Sequence, residues 1–385
     1  MLETQLYFNF KDLFRAPRLA FGRRTLVILE ALLASYVIQL ILTYVALLAE
    51  GNSFGSIWND FHLLPALFSC PASGIGKFFV GLGRISSLIL VILGMTAVAK
   101  ITIKEFKGNL FYSSKDGWRW AFNNWFPVFF GPISIAIIIT FFVILAAFMG
   151  WLAQWPVLDI LIYGLLFAIF LPTALFLVFS CLALLSGMIM SPSIVACAEE
   201  DTMGSMFGAY TLLWNQPVRM ITYLAITLAT AFIGYHLLYL FILLAYKFIH
   251  LVFGQDVLMG NAYLAIRQVG LDLFSDFNFL PSYFEVPNRL TISSGSAVYI
   301  APSATQAISG VLVAFATLIA ILSIPAYAIS TLATGFATSF IVLTKHKDDQ
   351  DLIKRRDADE RAEEESAKEA EEAQSDPPEE EAKKE

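Results

Sequence analysis

The chain has 385 residues, 57% of them hydrophobic and 14% aromatic, and its mean hydropathy of +0.68 lies well above that of ordinary soluble domains. The net charge of −7 is local: residues 344–385 hold 17 acidic and 9 basic side chains, and the remaining 15 acidic and 16 basic residues nearly cancel. This composition excludes an ordinary soluble domain and a broad basic surface for nucleic acid, and it predicts an all-α, polytopic membrane helix bundle.

About 20 residues rising 1.5 Å each cross a hydrocarbon core of about 30 Å. Six apolar runs meet that requirement: 25–49, 77–99, 126–150, 157–190, 219–249 and 305–343. The fourth and sixth are longer than one crossing and contain Pro172 and Pro325; both are read as single, kinked helices. The first run is too long for a signal-peptide core and is expected to act as an uncleaved anchor.

Lysine and arginine orient the spans, because loops on the cytoplasmic side are enriched in them. Residues 1–24 carry Lys11, Arg15, Arg18, Arg23 and Arg24, and residues 100–125 carry Lys100, Lys104, Lys107, Lys115 and Arg119. Loop 51–76 has none, and the long loop 250–304 has only Arg267 and Arg289. Six spans with both termini cytoplasmic fit this pattern, whereas a seventh would put Lys345 to Arg356 outside. On this topology Cys70, Cys181 and Cys197 occupy different compartments, so no internal disulfide or metal-ligand set is expected.

Two spans are preceded by a similar polar break. "KDGWRWAFNNWFPVFFGP" from Lys115 and "FGAYTLLWNQPVRMITYL" from Phe207 align Pro127 with Pro217, 90 positions on. In the first, Trp118, Phe122, Trp125 and Phe126 recur at helical spacing, with Lys115, Arg119 and Asn123 on the other face. In the second, Met203, Met206, Phe207, Tyr210, Leu213 and Trp214 form the stripe, with Ser205, Thr211 and Asn215 mostly opposite. Such helices lie in the headgroup plane with aromatic residues towards the acyl chains. Asn124 and Asn215 are expected to cap the next helix, with Pro127 and Pro217 in its first turn. Each break is thus an elbow joining a surface helix to a crossing helix. The N-terminal "NFKDLFRAPRLAFGRRTLVIL", opening with Asn9 and Asp12 and entering its span after Gly22, is a weaker third copy. Three units of surface helix, outward span and return span would then make up the bundle.

These elbow pairs, with "MSPSIVACAEEDTMGSMFGAYTLLWNQP" after the fourth span, resemble the membrane domain found beside some bacterial glycerophosphodiester phosphodiesterases and related six-helix families, over roughly Leu13 to Leu343. The resemblance implies a bacterial inner-membrane protein. It rests on helix pattern and not on catalytic residues, and no separate soluble phosphodiesterase domain is expected within these residues, so that activity is not carried over.

Ionisable residues inside spans are costly and are functional candidates by default. Glu30 falls about two turns into the first span, Arg84 about two turns into the second, Asp159 near the outer end of the fourth, and His236 in the outer half of the fifth. Matching depths would let Arg84, Asp159 and His236 meet and bind an anion or relay protons. The simpler reading is one structural ion pair and a histidine satisfied by Tyr235 or Tyr239. Glu199, Glu200 and Asp201 read as acids favouring the N-terminus of the next surface helix.

Loop 250–304 contains "RLTISSGSAVYIAP", which reads as a small hairpin, and Phe274, Phe277, Phe279, Tyr283 and Phe284, which read as a cover for the bundle. Small residues from Ala328 to Thr338, and Gly74, Gly76, Gly81 and Gly83, read as close-packing positions. The charged tail 344–385 has the composition of a disordered extension. No phosphate loop, metalloprotease or nucleophile-elbow motif is present, and neither cofactor nor metal is expected. The expected function is a non-enzymatic membrane-organising or accessory subunit, with the bilayer against its elbows and a protein partner at its tail. The alternative is a transporter or channel for a small anion or lipid-like substrate.

Overall fold

The computed structural model describes residues 6–63, 73–155, 158–273, 302–348 and 351–355, and within them every regular element is helical. A 3-10 turn, Phe10–Arg15, leads into α1 (Ala16–Ala20) and, past Gly22, into α2 (Arg23–Ala49). Then come α3 (Phe54–Phe61), α4 (Gly74–Phe106), α5 (Ser114–Asn123) and α6 (Trp125–Leu152). A π-helical stretch, Asp159–Leu165, runs into α7 (Leu166–Ala198), followed by α8 (Thr202–Asn215), α9 (Pro217–Phe253), α10 (Asn261–Asp272) and α11 (Ala304–Asp348). Six of these elements are long and apolar enough to cross a membrane: α2, α4, α6, the π stretch with α7, α9, and α11. This is the build of a multi-pass membrane protein.

The spans pair in chain order, α2 with α4, α6 with α7 and α9 with α11. The second member of each pair, α4, α7 and α11, also packs on the other two, so these three meet at the centre. The short helices follow a rule of their own. α5 lies mainly on α4, α8 lies on α7 and α6, and the Phe10–Arg15 turn with α1 lies on α11 and α9. Each surface helix therefore packs on the span pair before it, and the first closes the cycle by packing on the last pair. All three lie at one end of the bundle, the elbow end.

Local chemistry explains where the helices stop. Ser113 accepts a hydrogen bond from the Asp116 amide while Asp116 accepts one from the Ser113 amide, and Asp201 accepts from the Gly204 amide at 2.7 Å. The first spans of the three pairs, α2, α6 and α9, begin differently. Gly22, before α2, has φ +94°, a conformation strained for any side chain, so this elbow turns on glycine where the other two use a polar break. Asn124 precedes α6 but directs its amide nitrogen back to the Trp120 carbonyl at 2.9 Å, closing α5 and not opening α6. Asn215 ends α8; Gln216 occupies the N-cap of α9, and Pro217 takes the first helical position. Asn124 thus holds the expected N-cap position of α6 without capping it through its side chain, and at α9 that position belongs to Gln216 and not Asn215, again with no side-chain cap.

Helix ends at this end of the bundle also run past the apolar boundaries. α4 continues to Phe106 and α7 to Ala198, each about two turns beyond 99 and 190. Lys100 and Lys104, which end the apolar run, are buried inside the bundle. α7 and α11 remain single helices through Pro172, Pro192 and Pro325.

The small residues of α11 are packed as expected: Ser330, Thr331, Ala333, Thr334, Ala337 and Thr338 are at most 1% exposed. Among the glycines of α4, a methyl on Gly83 would meet the Gln39 side chain at 2.5 Å, but Gly74 and Gly81 face open space. α10 lies along α11, where a methyl on Gly310 would reach Val269 at 2.6 Å. Pair α6/α7 diverges from the rest: between Ala136 and Leu152 no residue is buried, and between Asp159 and Phe179 only Ile162 is. Cys70, the proposed hairpin and the aromatic group Phe274 to Phe284 lie outside the described residues.

Candidate functional site

The elbow end holds a set of buried charges and hydroxyls that joins the three span pairs. Lys100, fully buried in α4, reaches across to the next span pair and places Nζ 2.5 Å from Oε1 of Glu199. The same ammonium lies 4.7 Å from the centre of the Trp120 ring on α5. Glu199 ends α7 with φ 52°, ψ 42°, a left-handed conformation more natural to glycine. Arg24, at the start of α2 and 2% exposed, pairs with Glu105 at 2.8 Å and also donates to the Leu19 carbonyl. Charges removed from water to this degree are tolerated only with such partners.

Hydroxyls and an amide complete the seal. Ser191 in α7 donates to the Val128 carbonyl at 2.7 Å and shares a 3.2 Å hydrogen bond with Ser205 of α8. Tyr327 and Ser330 of α11 donate to the carbonyls of Pro17 and Ala20 in α1, at 3.0 and 3.3 Å. Gln216 at the third elbow donates to the Leu343 carbonyl at 3.3 Å. Each elbow is therefore bonded to the second span of a pair, which fixes the short helices as parts of the bundle.

Their aromatic faces are divided between protein and surroundings. Trp118 is half-buried, stacks on Phe122 at 5.5 Å and donates its indole N–H to Glu30 at 2.8 Å. Phe122 and Trp125 stay exposed, and Pro127 is half-buried at the third residue of α6. On α8, Met206 and Leu213 turn into the bundle, and Tyr210 lies against Phe176 and Phe179. Trp214 is 74% exposed with its edge against Phe179, and Asn215 and Pro217 are exposed beside it. The expected stripe is thus split, its inner half serving helix docking and its outer half left uncovered. Arg18, Arg119 and Arg219 are exposed along the same rim. Asp116, three residues before Arg119, has its carboxyl held below the usual range, first by the Ser113 hydroxyl and amide and then by nearby Lys115 and Arg119.

The four intramembrane candidates do not form a cluster. Glu30 belongs to the second elbow through Trp118. Arg84, Asp159 and His236 are each exposed on different elements, and α4, the π stretch and α9 are not packed on one another. The His236 ring is not satisfied by Tyr235 or Tyr239 as expected: Nδ1 is 2.9 Å from the Phe232 carbonyl, and the Tyr235 ring only abuts it. Of the acidic trio, Asp201 caps α8 as expected, but Glu199 pairs with Lys100 and Glu200 with Arg355 at 3.8 Å. Sequence reasoning missed Lys100, Glu105, Arg24 and Trp120. The one available signal was Lys100 itself, flanked by Ala97, Val98, Ala99, Ile101 and Ile103.

Among the described residues no group of three or more His, Cys, Asp or Glu side chains is placed to hold a metal ion. No family model, curated protein or solved structure matches this chain.

Proposed function

We propose that this protein is a non-enzymatic membrane-organising or accessory subunit, with its elbow end on the cytoplasmic side and built from three related two-span units. The observation that carries the reading is the elbow end itself. Three interlocked surface helices close over a buried ionic core and present a rim of exposed aromatics and arginines at the depth where headgroups would lie. Such a surface is suited to hold a fixed position in a leaflet and to receive other components there.

Charge supports the orientation: Lys11, Arg18, Arg23, Lys115, Arg119 and Arg219 are exposed at the elbow end, against Lys77 and Arg84 exposed towards the other. The cyclic docking of the surface helices supports the three-unit reading, because the third copy, weakest in sequence, takes the same place relative to its neighbours as the other two. The resemblance to the phosphodiesterase-associated membrane domain accords with a bacterial inner membrane. Transport of an anion or lipid-like substrate is the less supported reading, since it drew on a meeting of Arg84, Asp159 and His236 that the helix packing does not provide.

The test is gentle extraction from native membranes followed by mass measurement of the intact assembly. A stoichiometric protein partner, lost on deletion of residues 356–385, is expected. Solute flux through reconstituted vesicles that is abolished by Arg84→Ala would overturn the accessory role.

A further inference from the structure

The three return spans end close together at the elbow end, and a short piece of chain lies across their ends. Residues 351–355 follow α11, and Leu352 is 2% exposed, part of the same apolar core as Leu13, Phe106, Ala198 and Leu343. Ile353 packs partly against that core. The Arg355 carbonyl accepts a hydrogen bond from Lys107, one residue past α4, and the Arg355 guanidinium lies 3.8 Å from Glu200, two residues past α7. Just upstream, the His346 ring bonds the Phe8 carbonyl at 2.9 Å, tying the end of α11 to the N-terminal segment. One short segment thus touches the ends of all three central spans.

Its hold is of mixed character. Leu352 is an anchor of the kind that fills a preformed apolar site, with a cation placed three residues on to meet a carboxylate. Its ion pairs are weaker: Lys354 is 85% exposed on its side chain, its pairing with Asp351 is 3.9 Å long, and the Arg355–Glu200 pair is half in solvent. Ordering these five residues costs conformational entropy that Leu352, Ile353 and the contacts of Arg355 must offset.

We propose that the convergence of α4, α7 and α11 is a docking site for a short polypeptide segment bearing an apolar anchor followed by cations, occupied in cis by Asp351–Arg355. A protein partner carrying the same chemistry reaches Glu200 and the apolar floor only when the cis segment leaves. The inference rests on the accessory reading for its purpose, but not for its test. Charge complementarity selects the ligand class: the Glu200 carboxylate at the rim meets a cation three residues beyond the anchor, and the Lys107 ammonium meets the backbone carbonyl of that same residue.

The experiment uses the full chain in lipid nanodiscs. Amide hydrogen exchange of residues 351–355 is compared between the native chain, Leu352→Glu, the milder Leu352→Ala, and Glu200→Gln. Native protection is expected to exceed that of the Leu352→Glu variant by about tenfold or more, with Glu200→Gln between them and the amides of α4 unchanged as a control of folding. A fluorescent synthetic peptide spanning residues 351–356, one carboxylate against three cations, is then expected to bind the Leu352→Glu or Leu352→Ala protein and not the native one. Native exchange as fast as that of the free peptide would overturn the proposal, as would equal peptide binding, or equal lack of it, across native and variant proteins. Either failure leaves the accessory role standing, because that role is read from co-extraction and not from this site.

Discussion

Lys100 and Glu199, 99 positions apart in the chain, meet at 2.5 Å inside the elbow end and join the first span pair to the second. The pairing accounts for an oddity at Glu199, a non-glycine residue held left-handed at a helix end. That conformation costs roughly 1–2 kcal/mol and persists because it directs the carboxylate to the buried ammonium. Lys100→Met should preserve volume and apolar packing but leave the Glu199 carboxylate, 15% exposed, without its cation. A loss of about 3–5 kcal/mol is expected for that single change. The double change Lys100→Met with Glu199→Gly should recover most of it, since glycine removes both the charge and the strain. Thermal unfolding of the four proteins in one detergent checks this, and additive losses in the double variant would show that the pair is incidental.

The capping box of α5 makes that helix pH-sensitive. The Asp116 carboxyl is held below its usual range by the Ser113 hydroxyl and amide. A depressed folded-state value means that the ionised carboxylate stabilises the helix above the ordinary aspartate range, and that this contribution is lost as pH falls through the depressed value. Fluorescence of Trp118 and Trp120 should therefore show a transition on acidification that Asp116→Asn abolishes. Ser113→Ala should cost α5 about 1 kcal/mol of local stability at neutral pH. A transition unchanged in Asp116→Asn would assign it to another group.

The count and order of the spans were legible in the sequence because each apolar run is long enough to need no partner for its identification. The elbows were legible from Trp118, Trp125, Pro127, Trp214 and Pro217, since aromatic and proline positions mark a change of direction locally. What stayed hidden was whatever depends on azimuth around a helix or on distant chain. Arg84, Asp159 and His236 were matched by depth, but depth says nothing about which side of a span a residue occupies, and all three are exposed. Lys100 was counted as a loop cation for the same reason: its neutralising partner lies in another span pair. The caps failed on a smaller scale. Asn124 has the right chemistry for opening α6, yet an equally good acceptor, the Trp120 carbonyl, lies one turn behind it.

Helix packing between α9 and α11 turns on one small residue. A methyl on Gly335 would overlap the methyl group of Thr227, itself fully buried with a hydroxyl that finds no hydrogen-bond partner among the described residues. Gly335→Ala is therefore expected to lose about 1–3 kcal/mol through overpacking. Thr227→Ala alone should be close to neutral, because no hydrogen bond is lost and little volume is removed, and combined with Gly335→Ala it should restore stability. If the double variant is as unstable as Gly335→Ala, the damage comes from helix backbone geometry and not from this contact.

The rim of the elbow end gives the most direct prediction about lipids. Arg18, Arg119 and Arg219 are exposed at the three elbows, near Phe21, Phe122 and Trp214, which are 73%, 51% and 74% exposed. Aromatic side chains at this level fix depth in the interface, and each nearby cation is worth about 1 kcal/mol against an anionic leaflet. The triple variant Arg18→Gln, Arg119→Gln, Arg219→Gln removes three such charges while leaving Lys100–Glu199 and Arg24–Glu105 in place. Native protein extracted from mixed vesicles should retain phosphatidylglycerol over phosphatidylcholine by about tenfold or more at low salt. That preference should weaken as salt shortens the screening length towards a few ångströms, and it should largely vanish in the triple variant. Trp214→Ala should leave the headgroup preference intact while reducing the amount of either lipid retained, because it alters depth and not charge. Equal retention of both lipids by the native protein would mean that the rim arginines face solvent and not headgroups, and the rim would lose its role at the membrane interface.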